Sequence, residues 1–230
     1  MVPNKIISFD ILTAFPEGLA GFFRASILAR AQRKSLIKVN LINLRDFASD
    51  KRRTIDDRPY GGGPGMVLMV EPIVKALKKI KQRNSRVILL SASGKKLNRQ
   101  KIIELSKLSH LIIICGHYEG VDQRIADYYV DEEISIGDYV LTGGEAASLV
   151  LVDAVSRYVP KVLKNEASLN NESFDDNLLG SPSYTRPENY LGHKIPNILR
   201  SGNHEKIREW HKKEALSKTK KFRPDLFPKN

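Results

Sequence analysis

Residues 134–158 read Ile134-Ser-Ile-Gly-Asp-Tyr-Val-Leu-Thr-Gly-Gly-Glu-Ala-Ala-Ser-Leu-Val-Leu-Val-Asp-Ala-Val-Ser-Arg-Tyr158. The alternation of Ile134 and Ile136 predicts a short strand, Gly137 and Gly143-Gly144 predict two turns, and the apolar run after Glu145 predicts a long buried helix. Two turns between a strand and a helix leave many backbone N–H and C=O groups without regular partners. Such a loop suits a pocket that reads a small molecule through main chain. It equally suits a plain connection whose glycines only supply positive φ.

The same rhythm runs upstream. Strands are predicted at 5–12, 37–42, 86–91, 110–115 and 132–136, and helices at 18–34, 71–82, 97–107, 119–128 and 144–158. Several strands are nearly continuous Ile, Val and Leu, so the expected fold class is α/β, a mainly parallel sheet with helices on both faces. One polar loop interrupts the alternation, Asp50-Lys-Arg-Arg-Thr-Ile-Asp-Asp-Arg-Pro-Tyr-Gly-Gly-Gly-Pro-Gly65, too rich in glycine and proline for regular structure. After Tyr158 the composition shifts. The stretch 160–182 is polar with few apolar anchors and reads as a linker or lid, and 183–230 is basic and composed of short helix-like segments.

At 230 residues the chain can bury a substantial core and carry a smaller appendage. It has 38 Lys and Arg against 26 Asp and Glu, a formal charge of +12, which favours a polyanionic partner such as nucleic acid, with a membrane surface second. Basic residues cluster between Lys206 and Arg223, where Glu209 and Glu214 are the only acidic ones. That is the pattern of a phosphate-binding surface. No apolar run approaches the roughly 20 residues of a membrane span, and no basic-then-apolar leader is present, so a cytoplasmic location is expected. The single cysteine, Cys115, lies in an apolar run and excludes both an internal disulfide and a cysteine metal site.

Two nucleotide-loop assignments fail. No Gly-x-Gly-x-x-Gly follows the first strand, and Ser93-Gly94-Lys95-Lys96 lacks the upstream glycine and the Ser/Thr of a P-loop. Three loops at strand carboxyl ends remain: Leu89-Leu-Ser-Ala-Ser-Gly94, Cys115-Gly-His-Tyr-Glu-Gly120 and Ile136–Gly144. Open α/β sheets bind ligands at such ends, and the spacing allows all three to share one pocket.

Arg58-Pro-Tyr-Gly-Gly-Gly-Pro-Gly-Met66, Gly116-His-Tyr-Glu-Gly-Val-Asp-Gln-Arg124, Ser135-Ile-Gly-Asp-Tyr-Val-Leu-Thr-Gly-Gly-Glu145, and Tyr184-Thr-Arg-Pro-Glu188 with Ser201-Gly-Asn-His204 resemble the bacterial tRNA (guanine-N1)-methyltransferase family over nearly the whole chain. The resemblance implies the SPOUT class: an S-adenosylmethionine-dependent methyltransferase with a deep trefoil knot, a small helical C-terminal domain and an obligate homodimer. It implies a catalytic domain at 1–160, a flexible linker at 161–182 and a tRNA-binding domain at 183–230. The expected reaction is methylation of N1 of guanosine 37 in tRNAs with guanosine at position 36. Magnesium is a further ion the family suggests, with no protein metal site expected.

By the same resemblance, the donor is expected on Leu90, Ser91, Gly116, Tyr118, Glu119, Ile136, Gly137, Asp138, Tyr139, Val140, Leu141, Gly143 and Gly144. Asp56, Arg58, Tyr60, Gly61, Ser183 and Tyr184 are expected to meet the tRNA. Removing the N1 proton calls for a carboxylate, and charge developing on O6 calls for a cation. The family places its base, an aspartate, at the position of Glu172, with Asp175 and Asp176 as competing carboxylates, and its cation at Arg157. This chain departs from the family at Glu172, at Ser183 in place of a histidine, and at His117 and His211 in place of arginines. A ribose 2′-hydroxyl methyltransferase and a non-catalytic RNA-binding protein are the rival readings.

Overall fold

The structure, a computed structural model, describes residues 6–165 and 172–227. The chain divides into two compact units, Met1–Lys164 and Asn165–Asn230.

The first unit is built on five parallel strands, β1 (Ile7–Thr13), β2 (Ile37–Asn43), β5 (Ser85–Lys96), β6 (His110–Cys115) and β7 (Glu132–Ser135), in the order β2-β1-β6-β5-β7. All six residues of β6 are buried, as a central strand covered on both faces requires. Alternate side chains separate two cores. Phe9, Ile11, Ile88, Leu111 and Ile113 face one side, where they pack with α1 (Pro16–Phe23), α2 (Ser26–Arg33), α4 (Arg99–Ser106) and α6 (Glu145–Arg157). Leu12, Val87, Leu89, Ile112 and Ile114 face the other, with α3 (Val70–Ile80) and α5 (Gln123–Tyr128). Each fully buried Leu, Ile or Phe contributes about 1.5–3 kcal/mol by leaving water, so the sheet is the rigid part of the unit.

The expected α/β class, with its mainly parallel sheet, is present. Several bounds differ from expectation. The helix expected at 18–34 is two, because the chain turns extended at Ala25 (φ −111°, ψ 155°) and Ser26 takes φ +48°. β5 continues past Leu90 and meets β7 twice, through Leu90 and again through Lys95 and Lys96, with a bulge between. Gly94 lies against β7 so closely that a Cβ there would stand 2.5 Å from the backbone nitrogen of Ile134. No periodicity in the sequence signals that contact. The helix expected from 119 starts at Gln123, capped by the Asp122 side chain accepting from the Arg124 N–H.

The loop 50–65 contains β3 (Asp56–Asp57), antiparallel to β4 (Val67–Leu68). In the second unit, β8 (Asn189–Tyr190) and β9 (His193–Lys194) form a hairpin. One 19-residue helix, α7 (His204–Phe222), replaces the short segments expected, and Asn203 caps it by accepting from the Lys206 N–H. Thr219 is the only buried residue described in α7. No helix among the described residues is long and apolar enough to cross a membrane.

Candidate active site

The bulged middle of β5 and the carboxyl ends of β6 and β7 open onto a cavity of about 430 Å³. All three loops singled out in the sequence line it. Every residue expected to hold the donor is on its wall except Asp138, whose carboxylate instead pairs with Lys96 Nζ at 2.8 Å. The wall shows why glycine is needed. At Gly144 a Cβ would come within 2.8 Å of the Cys115 Cα, and the Gly144 N–H donates to the Gly116 carbonyl at 2.6 Å. At Gly143 a Cβ would meet both His117 Nδ1 and the Glu145 carboxylate. Gly137 leaves space that the Tyr139 ring fills. By contrast, a Cβ on Gly116 would find only ordinary contacts at 3.7 and 3.8 Å. The glycines therefore zip the 116–117 and 143–144 segments together and leave backbone facing the cavity.

His117 sits at that junction. Its ring lies 4.7 Å from the rings of Phe15 and of Tyr118, and its Nδ1 stands 3.5 Å from Glu145 Oε2. The other oxygen of Glu145 accepts from the Thr13 hydroxyl at 2.6 Å. His117 Nδ1 is buried without a hydrogen-bond partner among the described residues. Cys115, directly behind, is fully buried, and burial drives its thiol far above the usual range, with the Glu145 charge acting in the same direction. It is a packing group, not a nucleophile.

The polar loop that carries Asp56, Arg58, Tyr60 and Gly61 belongs to the same rim. Leu68 bridges to Val121, the Leu68 N–H donates to the Gly120 carbonyl, and the Glu119 N–H donates to the Met66 carbonyl at 3.0 Å. A Cβ on Gly65 would stand 2.6 Å from the Glu119 side chain. Asp56 is held in β3, the Arg58 N–H donates to Asp57, and Tyr60 is fully exposed with Gly61 in the left-handed region (φ +86°). Arg157 ends α6, in the last turn where a cation meets the carbonyl end of the helix.

In the second unit, Glu172 opens a tight turn. Its carbonyl accepts from the Asp175 N–H, and a second turn follows directly, closed by the Leu178 N–H donating to the Asp175 carbonyl at 2.9 Å, with Asp176 and Asn177 both at positive φ, the signature of a type I′ turn. The following residues are tied to α7, through Leu179 to the Thr219 hydroxyl and through Ser181 to His211 Nδ1 at 2.6 Å. Tyr184, half exposed, lies 6.4 Å from the Trp210 ring, and Ser183 is exposed beside it. Glu166, at the start of the expected base-carrying segment, lies outside the described residues.

The model of the family described as tRNA (Guanine-1)-methyltransferase TrmD matches residues 7–229. The chain belongs to that family. It is 54% identical over 221 residues to the tRNA (guanine-N(1)-)-methyltransferase of Carboxydothermus hydrogenoformans, covering 96% of this chain and 87% of the relative. It is 54% identical over 224 residues to that of Dictyoglomus turgidum, covering 97% and 91%. To that of Ruminiclostridium cellulolyticum it is 48% identical over 226 residues, covering 97% of both.

Sequence reasoning did not name Glu133, Ser135, Gln123 and Ala126 as lining residues. Among the described residues, no group of three or more His, Cys, Asp or Glu is placed to hold a metal ion.

Proposed function

We propose that the chain transfers a methyl group from S-adenosylmethionine to N1 of guanosine 37 in tRNAs with guanosine at position 36. The observation that carries this reading is the convergence of three glycine-bearing loops on one cavity at the carboxyl ends of a parallel sheet, in a chain of this family. A cavity of about 430 Å³ lies within the usual range for small-molecule sites. Backbone groups of the 90–91, 116–119 and 136–144 segments would hold the donor, which supplies an electrophilic methyl carbon on sulfur. Further features of the reading are a trefoil knot formed by these loops, a homodimer that shares the active site, and a cytoplasmic location. The double pairing of β5 with β7, and the contact of Gly144 with Cys115, support loops wound closely round one another. Magnesium would arrive with the RNA, held mostly by water and phosphate.

The chain's own groups then act on the base. Loop 56–65, standing over Glu119, brings Asp56, Arg58 and Tyr60 to the guanine. A carboxylate in the second unit, Glu172, accepts the N1 proton as the N1 lone pair forms the new bond to carbon and the carbon–sulfur bond breaks. Arg157 offsets charge developing on O6. Glutamate reaches one methylene further than aspartate, so it serves from a backbone set slightly further back.

The test is methyl transfer to tRNA transcripts, read by primer extension, because a methyl on N1 blocks base pairing. Arrest at position 37, abolished when that guanosine is replaced by adenosine, is expected. Methylation without arrest would sink the reading in favour of a ribose hydroxyl. Glu172→Gln should lose about 10²–10⁴-fold in rate. Near-normal turnover by Glu172→Gln, with Asp175→Asn inactive, would move the base to Asp175.

A further inference from the structure

The cavity wall carries a cluster of side-chain polar groups to which the proposed chemistry, which uses the backbone of this loop, gives no role. Ser91 Oγ and Ser93 Oγ are hydrogen-bonded at 2.7 Å, and the Ser93 hydroxyl donates to Glu133 Oε2 at 3.0 Å. All three residues line the cavity. Their meeting is imposed by the fold. Gly94 lies on the backbone of Glu133 and Ile134, where a Cβ would stand 2.6 Å from the Glu133 carbonyl carbon, so the bulge after Leu90 folds back onto β7 and delivers Ser93 to the carboxylate. One carboxylate oxygen is engaged by serine. A carboxylate has lone pairs for about four hydrogen bonds in all, so acceptor capacity remains on the cavity side.

Two carboxylates line the cavity at different strands. Glu119 follows β6 and touches Gly65 of the loop that would meet the acceptor base. Glu133 is on the edge strand β7, two places along the sheet, about 10 Å away at the usual strand spacing. The reacting methyl must face the acceptor loop and hence the Glu119 end of the cavity. The nucleoside end then lies toward β7, where it presents a vicinal diol. We propose that Glu133, with Ser93 beside it, recognises the ribose hydroxyls of the methyl donor. A carboxylate accepts from both hydroxyls of a diol, as acidic residues do for ribose in dinucleotide folds, and a bound serine keeps the side chain in place for it.

Glu133 has this role only if the cavity holds the donor, so the experiment separates the two. Calorimetric titration would compare S-adenosylhomocysteine with its 2′,3′-dideoxyribose analogue on the full-length chain. Wild type should prefer the ribose form by about 10–100-fold, the value of one or two hydrogen bonds to a charged acceptor. Glu133→Gln should reduce that preference to within about 3-fold, and Ser93→Ala should reduce it part-way, with melting temperatures checking that both variants fold. An unchanged preference in a folded Glu133→Gln variant would overturn the assignment. So would equal weakening for both ligands, which would place the carboxylate at the ammonium group. Absence of any binding by the wild type would instead overturn the methyl-donor reading itself.

Discussion

A histidine stands at each end of the same strand, and the two are treated in opposite ways. His110, the first residue of β6, is 3% exposed and bonded on both ring nitrogens, to Ser85 Oγ at 2.7 Å and to Asp10 Oδ2 at 3.0 Å. Asp10 in turn accepts from the Asn40 side chain. The chain of Ser, His and Asp has the composition of a hydrolytic triad, yet it is enclosed on the α3 side of the sheet and lines no part of the cavity. His117, two residues beyond the end of β6, has a buried Nδ1 with no hydrogen-bond partner among the described residues, beside glycines that keep backbone open to the cavity. Satisfied polar groups in a closed setting hold a fold together. Incompletely satisfied groups on an open wall are where a ligand can complete the set.

The comparison breaks most visibly at Gly144. A side chain there meets the backbone of Cys115 and Gly116, which has no rotamer by which to yield. Gly144→Ala should therefore abolish binding of S-adenosylhomocysteine by calorimetry and lower stability by about 2–4 kcal/mol in denaturant unfolding. Gly18→Ala, inside α1 with open space around its Cβ, should leave binding intact and raise stability by about 0.5–1 kcal/mol. Normal binding by Gly144→Ala would show that the zipped segments do not shape the cavity. At the other end of the sheet, His110→Ala strips a hydrogen bond from both Ser85 and Asp10. It should cost about 2–4 kcal/mol in the same unfolding experiment while methyl transfer per folded molecule stays near wild type. A large loss of activity in the folded variant would make the lower network part of the site after all.

How far each end was legible in the sequence follows from the same physics. Continuous apolar runs such as Leu111–Cys115 announce buried parallel strands, and glycines at strand ends announce loops that must bend sharply, so the sheet and the three cavity loops could be read directly. The residue-level reading of those loops came from resemblance, because backbone recognition leaves no side-chain chemistry to read. The return of β5 to β7 through Gly94, and with it the Ser93–Glu133 contact, has no periodic signature. It depends on two backbones approaching within van der Waals distance, which only the folded chain reveals. The Asp10–His110 network was equally silent. Polar residues in a strand look like solvent-facing positions until the helix that covers them is placed.

The smallest effect concerns acid stability and isolates the lower end. Burial pushes the Asp10 carboxyl up, but hydrogen bonds from His110 and Asn40, with the charges of His110 and Lys38, together outweigh it and hold the carboxyl below its ordinary value. A carboxylate depressed in the folded state stabilises the protein above its unfolded value, about 3.9, and that contribution is lost as pH falls through the lower folded value. Asp10→Asn keeps the size of the side chain and removes the titration. Its melting temperature should lie below wild type at pH 5–7, and the gap should narrow as pH drops below about 4, where wild type loses the charge as well. A gap that stays constant from pH 7 to 2.5 would mean that the Asp10 charge contributes nothing, and that shape and neutral hydrogen bonding alone close the lower end of the sheet.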